Sequence, residues 1–96
     1  MRHRYWVYLM ASKRNGTLYV GMTNDLPRRV HEHEEKSFSG FTAQYDVNLL
    51  VWYEEHRYVG NAIQREKNIK HWPRAWELKL IEDLNPEWDD LDLHLI

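Results

Sequence analysis

Residues 5–21 decide the fold: Tyr5-Trp6-Val7-Tyr8-Leu9-Met10, then Ala11 and Ser12, the turn Lys13-Arg14-Asn15-Gly16, and Thr17-Leu18-Tyr19-Val20-Gly21. β-branched and aromatic side chains fill both flanks, which predicts two strands. Asn15-Gly16 between them is the strongest short hairpin signal, because both residues tolerate the positive φ of tight turns. Alternate side chains of a strand share a face, so Thr17, Tyr19 and Gly21 point one way and Leu18 and Val20 the other. Tyr8 can then stand beside Tyr19 across the pair. Gly21 closes the second strand, where it permits a close approach that a Cβ would block.

Downstream, Thr23-Asn24-Asp25 offers N-cap side chains and Pro27 suits a first helical turn, predicting a helix through Arg28 to Lys36. Residues 37–40 read as loop. The nearly continuous apolar run Asn48 to Glu55 predicts a third strand, placed centrally in the sheet. Gly60 or Asn61 opens a second helix, Ala62 to Lys70. Pro73 starts a third that reaches about Leu84, with Trp76, Leu80 and Leu84 recurring at helical spacing. Asn85-Pro86 ends it, since a residue before proline avoids the α region. The expected order is β-β-α-β-α-α, an α+β domain in which a small three-stranded antiparallel sheet is flanked by three helices. One domain fills residues 1–96, with its core over about 5–90 and an acidic tail at 89–96.

Composition narrows the function classes. Ninety-six residues must hold a dense core, and five Trp, six Tyr and two Phe supply it. The absence of cysteine excludes disulfide scaffolds, Cys-based zinc sites, iron–sulfur clusters and thiol catalysis, and fits a cytoplasmic location. No apolar run spans a membrane, the N-terminal residues do not read as a secretory signal, and mean hydropathy is −0.78. Net charge is −2, but it is unevenly spread. Residues 1–74 hold twelve Lys and Arg against eight acids, a net of +4; residues 75–96 hold one Lys against seven acids, a net of −6. The body of the chain can therefore face a polyanion while the tail does not.

Several side chains have the chemistry of phosphodiester work, each with a structural alternative. Arg29 and His33 stand four apart on one helix face, where a guanidinium can fork two phosphate oxygens and an imidazole can move a proton; an exposed helix with Glu partners gives the same spacing. His31 and His33 diverge on a helix, which argues against a zinc pair. Glu66 has no carboxylate partner on its helix, yet one carboxylate suffices for magnesium, which keeps waters and takes phosphate oxygens; an ion pair with Lys70 is the alternative. Tyr8 and Tyr19 either pack as aromatics or serve as acid–base groups, with a pKa lowered by a nearby cation and guanidinium. The Ser39-Gly40-Phe41-Thr42 segment brings a hydroxyl that touches phosphate or simply turns the chain.

Taken in order, these residues resemble the GIY-YIG nuclease superfamily, in particular its small stand-alone bacterial members, which are similar to the N-terminal domain of the excision-repair nuclease subunit. Trp6-Val7-Tyr8 stands for the first signature triplet and Tyr19-Val20-Gly21 for the second. The likeness runs on through residues 21–33, Phe41-Thr42, Tyr45, residues 50–54, Ala62 to Lys67 and residues 84–88. It implies a metal-dependent endonuclease that hydrolyses DNA phosphodiester bonds, with a nucleic-acid-binding domain of little or no cleavage as the alternative. A third class is an interaction module whose acidic tail (Asp89, Asp90, Asp92) docks on a basic partner. By the same resemblance Tyr8, Tyr19, Arg29, His33, Glu66 and Asn85 are catalytic. Arg28 and Thr42 contact substrate, and Glu66 holds one Mg²⁺ or Mn²⁺. DNA repair is the implied setting, with dimerisation, a partner or substrate shape as the source of specificity. Trp6 replaces the first signature glycine. Met22 stands where several relatives carry lysine, so Tyr19 lacks that acidifying charge and His33 takes a larger share as base.

Overall fold

The structure, a computed structural model of the chain, describes residues 4–35 and 45–94. It contains β1 (Tyr5–Ala11), β2 (Leu18–Thr23), α1 (Leu26–Glu34), β3 (Leu49–His56), α2 (Val59–Lys70) and α3 (Arg74–Leu84), then a 3₁₀ turn, Leu91–His94. The order is β-β-α-β-α-α, as expected. Among the described residues no helix is long and apolar enough to cross a membrane.

The sheet order is β2-β1-β3, antiparallel throughout, so the first strand is central and the apolar third strand lies at an edge. That corrects the expectation for β3. An apolar run can sit at an edge when something else covers its unpaired groups. Here the C-terminal segment does so. Val51 is an extra residue opposite the Leu9–Met10 step, a β-bulge, and its carbonyl accepts a hydrogen bond from Asn85 Nδ2 at 3.1 Å. The Leu50 amide donates to Asp90 Oδ1 at 3.3 Å. Asp90 also accepts from the Asp92 amide at 3.1 Å. The acidic tail is thus built into the fold.

Each sheet face has its own core. Val7, Leu9, Ala11 and Val20 meet Ala62 and Ile69 of α2 and Ile81 of α3 on one side. The bulge resets alternation, which is why consecutive Val51 and Trp52 both join that cluster. Tyr8, Met10 and Leu50 meet Leu26 and Val30 of α1 on the other side. In α3 the buried residue is Ile81, while Trp76 and Leu84 of the anticipated stripe are exposed. Trp76 instead stacks edge-on against Trp72, with ring centroids 5.8 Å apart.

Local chemistry sets the boundaries. Asn15 takes φ 58° in the hairpin turn, and the Gly16 amide donates to the Lys13 carbonyl at 2.9 Å. Asp25 caps α1 by accepting from the Arg28 amide at 3.3 Å, with Pro27 in the first turn. Arg74 Nη2 donates to the carbonyls of Asn15 (3.0 Å) and Gly16 (2.6 Å), tying the start of α3 to the hairpin.

Candidate active site

Register delivers the two tyrosines. Tyr8 pairs with Gly21 across β1 and β2, and Met10 pairs with Tyr19. Tyr8 and Tyr19 therefore share the α1 face of the sheet, with ring centroids 6.3 Å apart. A Cβ on Gly21 would lie 2.5 Å from Tyr8 Cζ and its hydroxyl oxygen, and 2.9 Å from Tyr19 Cε1. Glycine at this position makes the space in which the Tyr8 phenol crosses β2.

His33 completes a packed trio. It lies on the last turn of α1, is 1% exposed, and sits with its ring centroid 5.8 Å from Tyr8 and 5.3 Å from Tyr19. Its Nε2 is 3.1 Å from the Tyr8 hydroxyl. Either group can donate in this bond, according to the imidazole tautomer. Burial first, and then the positive charge of Arg29, hold His33 down to a pKa of about 4, only partly offset by Glu32. The imidazole is neutral at physiological pH and can accept a proton.

Arg29, one turn earlier on α1, is 31% exposed at its side chain and pairs with Glu32 at 3.2 Å. It acts electrostatically on Tyr8, Tyr19 and His33 alike. Glu66 comes from α2, on the opposite side of the sheet, yet its charge too bears on both tyrosines. Its side chain is 21% exposed and pairs with Lys70 at 3.6 Å. Two phenols and an imidazole are thus packed together, and the charges of a guanidinium and a carboxylate bear on the phenols from two helices.

The phenols depart from expectation in one respect. Burial raises both Tyr8 and Tyr19 above the ordinary tyrosine value, and Glu66 adds to this; Arg29 pulls the other way without prevailing. A hydrogen bond from Tyr8 also favours the ionised form of Tyr19. Desolvation on the sheet face outweighs the guanidinium that would lower them.

Other anticipated residues are placed as follows. Arg28 is exposed at the mouth of α1, 3.7 Å from Glu32. Thr42 lies outside the described residues. Asn85 is buried at the β3 edge, whereas Tyr8 crosses over Gly21 of β2, the opposite edge. Asn85 Nδ2 donates to the Val51 and Asp89 carbonyls, and its Oδ1 accepts from the Asp89 amide at 3.0 Å. Met22 turns toward the other face and packs with the α2–α3 core. No sequence spacing announced the Tyr8–His33 bond, since 25 residues intervene.

A model described as the GIY-YIG catalytic domain matches residues 4–86. The chain belongs to the GIY-YIG family. That family is nuclease-type, which supports a nuclease function here. The chain is 32% identical over 82 residues to a UPF0213 protein of Oceanobacillus iheyensis, covering 85% of this chain and 94% of that one. It is 29% identical over 80 residues to a UPF0213 protein of Staphylococcus saprophyticus, covering 83% and 96%. The solution structure of a UPF0213 protein from Bacillus halodurans shares the fold, with a TM-score of 0.57 at 22% identity, covering 91% of this chain and 92% of that one.

The donor set bears on which metal this GIY-YIG domain could hold. Among the described residues no three His, Cys, Asp or Glu side chains gather as a cage. Glu66, partly exposed, is a carboxylate whose charge bears on both tyrosines, while Glu32 is engaged by Arg29. A hard cation that keeps most of its waters and takes phosphate oxygens fits that set; a structural zinc site does not.

Proposed function

We propose that the protein is a divalent-metal-dependent endonuclease that hydrolyses DNA phosphodiester bonds at the Tyr8–Tyr19–Arg29–His33–Glu66 cluster. The observation that carries this reading is the packed trio of Tyr8, Tyr19 and His33, one turn of α1 from Arg29, with the charges of Arg29 and Glu66 both bearing on the phenols. A guanidinium for the phosphate, a carboxylate for a cation and proton-transfer groups between them are what hydrolysis needs and binding alone does not.

Each side chain has a defined part. Arg29 binds phosphate oxygens and stabilises the charge that grows in the transition state, while Glu32 steadies its guanidinium. Arg28, exposed on the same helix, meets the flanking backbone, and Thr42 does so from the 37–44 segment. Tyr19, the more accessible phenol, receives the proton of the attacking water. As it does so Tyr19 passes its own hydroxyl proton to Tyr8, and Tyr8 passes its proton to neutral His33, the final acceptor along that line. Glu66 would hold Mg²⁺ or Mn²⁺, which supplies Lewis acidity toward the leaving oxygen. Asn85 acts at a distance, by locking the C-terminal segment onto β3.

The test is nicking and cleavage of supercoiled, branched and single-stranded DNA with Mg²⁺ or Mn²⁺. Wild type cleaves at least one substrate, and Glu66→Ala abolishes cleavage. A wild-type protein that binds these DNAs and leaves all intact with both ions supports the binding-only alternative.

A further inference from the structure

The inner stripe of α2 runs Ala62, Arg65, Glu66, Ile69, at the three- and four-residue steps that share a helix face. Its two ends are ordinary core, since Ala62 and Ile69 are fully buried. Its middle rung carries two charges, with side-chain exposures of 29% for Arg65 and 21% for Glu66. Successive helix residues diverge by about 100°, so these two leave the stripe on opposite sides.

Arg65 turns to β3. Its Nε donates to Glu54 Oε1 at 3.1 Å and its Nη2 to Glu54 Oε2 at 3.4 Å, a two-pronged hold on one carboxylate. The guanidinium carbon lies 5.8 Å from the Trp52 ring centroid and 5.3 Å from that of Trp72. Glu54 is held in turn, with His56 Nε2 at 2.7 Å from its Oε1. Ala62 and Ile69 seat α2 on the sheet, and the Arg65 fork adds a directed contact at its middle. Ala62 is small, the Tyr58 cap makes no side-chain hydrogen bond, and Gly60 faces open space.

We propose that Arg65 is a positioning residue for Glu66. Its fork on Glu54, over the Trp52 and Trp72 indoles, sets the rotation of α2 and so aims the Glu66 carboxylate at the tyrosines. This rests on the assignment of Glu66 as the metal-holding group. Lysine keeps the charge at position 65 but offers neither the planar fork nor the stacking surface.

The experiment is an Mn²⁺ titration of the full chain, followed by electron paramagnetic resonance of the free ion, with thermal melts to verify folding. Arg65→Lys raises the Mn²⁺ dissociation constant about tenfold, the usual scale for partners behind a metal ligand. Lys67→Met on the same helix leaves it unchanged, and Arg65→Lys has no further effect in a Glu66→Gln background. Where Arg65→Lys melts too low for assay, Glu54→Gln carries the same comparison. Wild-type affinity in the Arg65 or Glu54 variant, with affinity lost in Glu66→Gln, overturns the positioning role and leaves the metal assignment standing. Wild-type affinity in Glu66→Gln overturns the metal assignment and the positioning role with it.

Discussion

The Tyr8 hydroxyl and His33 Nε2 are 3.1 Å apart, both buried, and joined from a central strand and a helix 25 residues away. That contact ties α1 to the sheet and gives the cluster a proton-accepting end. Tyr8→Phe removes it with almost no change of shape. A buried polar partner left unmatched costs about 1–3 kcal/mol, which denaturant unfolding will measure. Tyr19 also loses the hydrogen bond that favours its ionised form, so the rising limb of the pH–rate profile moves to higher pH. A profile superimposable on wild type would remove Tyr8 from the proton path.

His33 makes stability depend on pH in a fixed direction. Its pKa is about 4 in the folded chain, below the ordinary histidine value of 6.5, so as pH falls the unfolded chain takes up the proton first. The stabilisation from neutral His33 is complete above pH 6.5 and is lost progressively down to about 4. Across that window it amounts to about 3 kcal/mol. Unfolding of wild type and His33→Gln at several pH values measures it as a difference. The wild-type advantage shrinks on acidification; an advantage that grows would contradict the assigned direction.

Gly21→Ala tests the space under Tyr8. The new methyl would meet the Tyr8 phenol 2.5 Å away, with Tyr19 at 2.9 Å. Overpacking of this kind costs about 1–3 kcal/mol. The turnover number falls more than binding weakens, because the displaced atoms are the reacting phenols and not the phosphate clamp. Loss of DNA affinity with normal turnover would place the damage elsewhere.

Asn85→Ala separates architecture from chemistry. The amide satisfies the Val51 carbonyl freed by the bulge and both the amide and the carbonyl of Asp89. Its removal destabilises the fold by about 2–3 kcal/mol. At a temperature where the variant stays folded, Mn²⁺ affinity remains that of wild type. An affinity that collapses in fully folded protein would bring Asn85 into the site.

Local signals carried much of this structure. Asn15-Gly16, Asp25 with Pro27, and Asn85-Pro86 mark a turn, a helix start and a helix stop by short-range sterics and capping, and each holds. The β3 placement was not legible, because a long apolar run looks the same whether a strand or the Asn85–Asp90 segment covers it. The α3 stripe failed for a related reason: helical spacing puts Trp76 and Leu84 on one face without saying which face meets the sheet. The nearness of Arg29 to His33 on one face of α1 was readable from i,i+4 spacing. The opposing effect of burial on the tyrosines was not, since desolvation belongs to the folded surroundings. Nor was the hold of Arg65 on Glu54, which spans 11 residues and two elements.

The most direct measurement is anomalous scattering from a crystal of the full chain soaked in Mn²⁺. One peak is expected within bonding distance of the Glu66 carboxylate, on the side facing Tyr19 and Arg29, and it vanishes in Glu66→Gln. A peak bound elsewhere on the molecule, with Glu66 still paired only to Lys70, would contradict the account.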